Sequence, residues 1–142
     1  MLAEATERVA QAKREKQPYT MVWLFFDHDN SPHLEEVFRG IRKSGYSVAF
    51  SAISIEFWFI LHFEENGRAF ASGDECVRHL RKLWPAYHKT KVNHFTELIN
   101  YLDTAIQRAE TLEKRNSEIE IVKAQPYTSV HYLIAYFKDL NE

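Results

Sequence analysis

Residues 21–26 read MVWLFF, and this run constrains the chain more than any other segment. Pro18 and Tyr19 stand before it, and Asp27-His28-Asp29-Asn30 follows it. Between such breaks a continuous apolar run is too short for a helix, and it does not alternate. That is the pattern of a parallel strand buried on both faces. Ser31-Pro32 then opens a helix, with Ser as N-cap and Pro at the first helical position. Leu34, Val37, Phe38 and Ile41 form its apolar face at i, i+3, i+4 and i+7. Arg42 and Lys43 suit the negative end of that helix, and Gly45 stops it. Residues 46–51, YSVAFS, are a second short strand. Strand, helix and strand within about 30 residues make a βαβ unit.

The rest of the chain reads as mostly helical. Residues 2–16 are rich in good helix formers and thin in apolar residues, and Pro18 ends them. Ser54 heads a helix over residues 55–64, apolar nearly all round and therefore buried on most sides. After a loop at 64–71, Ser72-Gly73-Asp74-Glu75 is a capping-box pattern opening a helix to Leu83, before Pro85. The longest helix is expected from Asn93 to about Lys114, with Phe95, Leu98, Ile99, Leu102, Ile106 and Ala109 as its stripe. Pro126 with Thr128 or Ser129 opens a last helix. No repeat or low-complexity linker divides residues 1–142, so a single domain is expected. Two strands alone are marginal in water. A third comes from residues 116–122 (NSEIEIV), which alternate weakly, or from a partner chain or second copy, or helices cover the edge. The fold class expected is α/β, a small, mainly parallel sheet flanked by helices with a helical C-terminal half.

Composition narrows the class. Apolar residues are 45% and the net charge is −2, which excludes global disorder. Four Gly and four Pro argue against an all-β fold of many tight turns. Cys76 is alone, so no intrachain disulfide forms. No apolar run approaches the ~20 residues of a membrane span. Residues 1–16 lack the apolar core of a secretory signal. A cytoplasmic protein with no membrane partner is expected.

Chemistry concentrates after the first strand. Asp27 and Asp29 at i and i+2 point the same way if the strand continues. They lie at the carboxyl end of a parallel strand, where open α/β sheets bind ligands. Carboxylates there suit Mg²⁺ or Mn²⁺, although Asp and Asn also simply turn a chain out of a strand. Glu56 opens the apolar helix just after the second strand. Its burial demands a metal, a base or the helix-start N–H groups as partner. If the strands are parallel neighbours, Glu56 meets Asp27 and Asp29 as a cation site. His62 lies six residues on, about 240° around the helix from Glu56, and also suits a core histidine with one hydrogen bond. Arg78, Arg81, Lys82, Lys89 and Lys91 lie near Trp84 and Tyr87. That mix fits a phosphate backbone with stacked bases, or a solvated helix end.

At these residues the sequence resembles the RloB-like family, a Toprim-related group found beside bacterial restriction–modification and abortive-infection genes. The resemblance rests on VWLFFDHDN (residues 22–30), SAISIEFWFILHF (51–63) and QPYTSVHYLI (125–134). The family pattern is an apolar strand ending in D-x-D, a helix, S-N-P-x-F-E-x-W-x-x-L-H-F, and near the end N-P-x-T-x-V. Ser51, Glu56, Trp58, Leu61, His62 and Phe63 all fall in place, while Ala52-Ile53, Ile55 and Gln125 depart from it. The resemblance implies a Toprim-like topology and a divalent-metal-dependent nuclease or phosphodiesterase of phage defence. Asp27, Asp29 and Glu56 match its acidic positions. Glu56 and His62 would then be its catalytic residues. The related enzymes carry a glutamate on a strand upstream of the helix with which this chain opens. Glu4 and Glu7 lie inside that helix, so the domain reads as shortened at its N-terminus. The alternative implied is a non-catalytic interaction subunit of a defence complex, with a borrowed strand.

Overall fold

The apolar run after Pro18 does become a strand in the computed structural model, which describes residues 1–28, 30–90 and 93–142. The expected burial on both faces is corrected: Leu24 is buried, while Phe25, on the other face, is half exposed. After helix α1 (Leu2–Arg14) comes β1 (Trp23–Asp27), then α2 (Leu34–Ser44) and β2 (Ser47–Ala52). β1 and β2 pair in parallel, with Trp23 opposite Ser47 and Asp27 opposite Ser51. Gly45 ends α2 at φ 74°, a conformation that costs a glycine little. The start of α2 differs from expectation: its N-cap is His33, not Ser31. Ser31 is instead used in a turn, its N–H donating to the His28 carbonyl at 3.0 Å.

The helical half follows as α3 (Ile55–Phe63), α4 (Gly73–Leu83), α5 (Phe95–Leu98) and α6 (Leu102–Arg115). In α4 the cap forms as its sequence predicts, with the Glu75 N–H donating to Ser72 Oγ. The single long helix from Asn93 does not form. A 3₁₀ turn at Ile99–Tyr101 separates α5 from α6. Phe95 and Ile99 of the expected stripe stay exposed, while Ala105 and Ala109 are buried. The stripe is continuous in sequence, but in its first half only Leu98 reaches the core.

The expectation of a mainly parallel sheet is corrected. The third strand is β3 (Tyr127–Thr128), antiparallel to β2, with Ser51 opposite Thr128 and Ala52 opposite Tyr127. The order is β1-β2-β3, one parallel pair and one antiparallel pair. Residues 116–122 form turns rather than a strand. Buried Asn116 turns back to donate to the Pro126 carbonyl at 3.0 Å, and Ile119 is exposed. β3 gives no sequence signal because it has two residues. Buried side chains lock it instead. Ser51 Oγ and Thr128 Oγ1 lie 2.9 Å apart, and the Phe50 N–H donates to Ser129 Oγ at 3.0 Å. The last helix, α7 (Val130–Asp139), follows at once.

Side chains alternate across the sheet. Phe26 faces α2, with its ring 5.5 Å from Phe38 and 5.2 Å from Phe50. Trp23 faces α7, with its ring 5.8 Å from Tyr136. A second, larger core joins α3, α4 and α6 through Phe57, Ile60, Leu61, Leu80 and Ala105, all buried. At roughly 1.5–3 kcal/mol for each large apolar side chain removed from water, α3 is the most heavily anchored element.

Candidate metal and phosphate cleft

Parallel pairing fixes the site. Asp27 is the last residue of β1 and lies opposite Ser51 of β2. β2 leads through Ile53 and Ser54 into α3, whose first turn carries Glu56. Asp27 and Glu56 therefore open on one cleft of about 730 Å³, together with Phe59, Tyr87, Lys89 and Phe95. That volume lies within the range of small-ligand sites.

Glu56 is only 3% exposed. The Tyr87 hydroxyl donates to its Oε1 at 2.7 Å, and the Lys89 ammonium stands 3.9 Å from the same oxygen. A buried carboxylate needs such partners. Burial first, then the bond to Glu56 and its charge, raise the Tyr87 hydroxyl well above its ordinary pKa, so it stays a donor. Behind the cleft the buried Cys76 thiol is pushed up to about 12, chiefly by burial and further by the charges of Glu56 and Asp27. A thiol held protonated is no nucleophile.

Two predicted site residues, Asp29 and Lys91, lie outside the described residues. Among the described residues no group of three or more His, Cys, Asp or Glu is placed to hold a metal ion. Asp27 and Glu56 nevertheless suit Mg²⁺ or Mn²⁺, because Mg²⁺ commonly uses one or two carboxylates and completes its shell with water and substrate phosphate.

The structure does not bring His62 to this cleft. Its Nδ1 lies 3.0 Å from the Trp58 carbonyl oxygen one turn earlier, and its ring packs edge-on to Trp58. Burial lowers its pKa; backbone hydrogen bonds oppose the shift in part. It lines a neighbouring apolar groove of about 390 Å³ with Trp58, Leu98 and Leu102, and Phe59, His94 and Phe95 border both this groove and the cleft. Its place outside the cleft follows from helical geometry: six residues from Glu56 is about 240° around the helix, which turns His62 off the face that carries Glu56.

Of the predicted phosphate-binding cations, Lys89 lines the cleft. Arg78, Arg81 and Lys82 are exposed on α4 and are not among its lining residues. The aromatic residues expected to stack bases beside them, Trp84 and Tyr87, are each 5% exposed and offer no free face. Phe95 does, and its sequence context gave it a different place, on a buried stripe. Tyr87 as the partner of Glu56 had no sequence signal, because 31 residues separate them.

These features define an α/β protein with an acidic cleft where the carboxyl ends of two parallel strands meet. The chain belongs to the RloB-like protein family, whose family model matches residues 1–137. No curated protein and no solved structure matches it.

Proposed function

We propose that this RloB-like protein is a divalent-metal-dependent nuclease or phosphodiesterase of phage defence, acting on nucleic acid or a nucleotide. The observation that carries the reading is the meeting of Asp27 and buried Glu56 in one cleft with the Lys89 cation. A Toprim-like arrangement around β1, α2 and β2 is part of the same reading. Asp27 and Asp29 hold Mg²⁺ or Mn²⁺, and Glu56 serves as a further ligand or orients an attacking water. Lys89 meets a phosphate oxygen. His62 supports α3 through its bond to Trp58 rather than touching substrate. A bound Mg²⁺ supplies charge stabilisation on the phosphate oxygens. The test is Mn²⁺ or Mg²⁺ titration by calorimetry, with cleavage of DNA, RNA and cyclic oligonucleotides. Wild type should bind metal and cleave, and Asp27→Ala should lose both. Absence of both in wild type overturns the enzymatic reading.

A second reading has its own support. Among the described residues β1 pairs only with β2, and Phe25 on it is 50% exposed. A strand from a partner or a second copy would complete the sheet there. An interaction subunit of this kind should run above its 16.8 kDa monomer mass in sedimentation, alone or with its partner.

A further inference from the structure

The cleft has an aromatic wall as well as an acidic floor. The wall starts at Tyr87, whose hydroxyl holds Glu56. The Tyr87 ring lies 5.1 Å from that of His94, and Phe59 packs against both at 5.9 and 6.3 Å. The next residue, Phe95, stands on the border between this cleft and the apolar groove of His62 and Leu98, and is 69% exposed. Its ring is left in water although burying it would be favourable. Scattered exposed apolar residues need no explanation. This one sits in a cleft that also presents Lys89, an exposed cation, and two carboxylates. A ligand matching all three must carry phosphate for Lys89 and the metal, and a planar apolar face for Phe95. A nucleotide unit is such a ligand. In a duplex the bases stack on each other and cannot reach a side chain, whereas every unpaired base has a free face.

Resting on the metal-and-phosphate reading of the same cleft, we infer that the protein takes a nucleotide with an unpaired base, free or within a single strand, and stacks that base on Phe95. Double-stranded nucleic acid is then a poor ligand. The Phe95 face is sequence-tolerant, so the four bases bind with similar affinity.

The test uses fluorescein-labelled 12-nucleotide single-stranded DNA, the same sequence as RNA, the corresponding duplexes, and AMP as competitor, with Ca²⁺ present to hold cleavage back. Anisotropy titrations compare wild type with Phe95→Ala, Phe95→Leu and Phe95→Tyr. Wild type should bind single strands at least about tenfold more tightly than duplex. Phe95→Ala and Phe95→Leu should weaken single-strand binding about tenfold, as expected for loss of one base–aromatic stack. Phe95→Tyr should restore it, and duplex binding should not change. Comparison of the DNA and RNA arms with AMP competition identifies the source of the base. Equal affinity for duplex, an unchanged Phe95→Ala, or a change in solution mass without a change in oligonucleotide binding overturns the inference. Metal titration of Phe95→Ala separates the two proposals. Metal affinity kept with no loss of single-strand binding sinks only the base-stacking inference. Phe95-dependent single-strand binding without metal affinity in wild type sinks only the enzymatic one.

Discussion

Glu56 shows how one residue sets the character of a site. A carboxylate at 3% exposure is costly unless it is bonded, and here the bond comes from Tyr87 at 2.7 Å. Tyr87→Phe removes that donor and leaves Lys89, at 3.9 Å, beside that oxygen. A hydrogen bond to a charged group contributes about 1.5–3 kcal/mol. Tyr87→Phe should therefore destabilise by about that amount in urea unfolding. The double variant Tyr87→Phe/Glu56→Gln should recover part of the loss, because the buried charge that lost its hydrogen bond is gone. If Tyr87→Phe unfolds at the wild-type midpoint, the bond does not hold Glu56 in solution. Phe95 shows the opposite situation at the same scale. Its ring is left 69% exposed, and residue type alone cannot reveal that.

At the scale of elements, the parts that were legible carry strong local signals. β1 follows from its uninterrupted apolar run, α4 from its Ser72 cap, and the end of α2 from Gly45. The meeting of Asp27 with Glu56 was legible too, because parallel strands place their carboxyl ends together. β3 was not. Two residues are too short for periodicity, and its pairing depends on Ser51 and Phe50, which lie about 80 positions earlier. Residues 116–122 alternate better, yet they turn instead of pairing, and Ile121 and Val122 pack on the core around Phe38 and Phe50. Two stretches that carry the family resemblance, around Ser51 and around Thr128, thus meet each other in the fold. Ser129→Ala tests that junction. It removes the oxygen that accepts the Phe50 N–H at 3.0 Å inside the sheet. An unsatisfied buried donor costs about 1–3 kcal/mol, and the loss should appear as faster amide exchange at Phe50 and a lower unfolding midpoint. Unchanged exchange at Phe50 would mean that β3 is held by Ser51 and Thr128 without help from Ser129.

The molecule as a whole joins a sheet half and a helical half, and each carries a buried histidine. His62 lies in α3 at 3% exposure and His131 in α7 at 2%. Burial lowers the pKa of both below 6.5. For His131 the charges of Glu113 and Glu110 oppose the shift but do not cancel it. The sign of the pH effect follows. Below pH 6.5 the unfolded chain binds protons that the folded chain refuses, so stability falls as pH drops from 6.5 toward the folded pKa values. Each histidine contributes a slope of at most about 1.4 kcal/mol per pH unit in that window. Glu64 acts in a lower range. Burial works against its charge, but its bonds to His79 and Asn66 prevail and hold its pKa below 4.5. Its stabilisation is thus present above pH 4.5 and lost below it. The urea midpoint should therefore fall between pH 7 and 5, before carboxylates enter. His62→Gln should remove about half of that slope by taking away one proton-binding site. A midpoint flat from pH 7 to 5 in wild type would show that both imidazoles accept protons in the folded state. The two halves would then be open to water where the structure closes them.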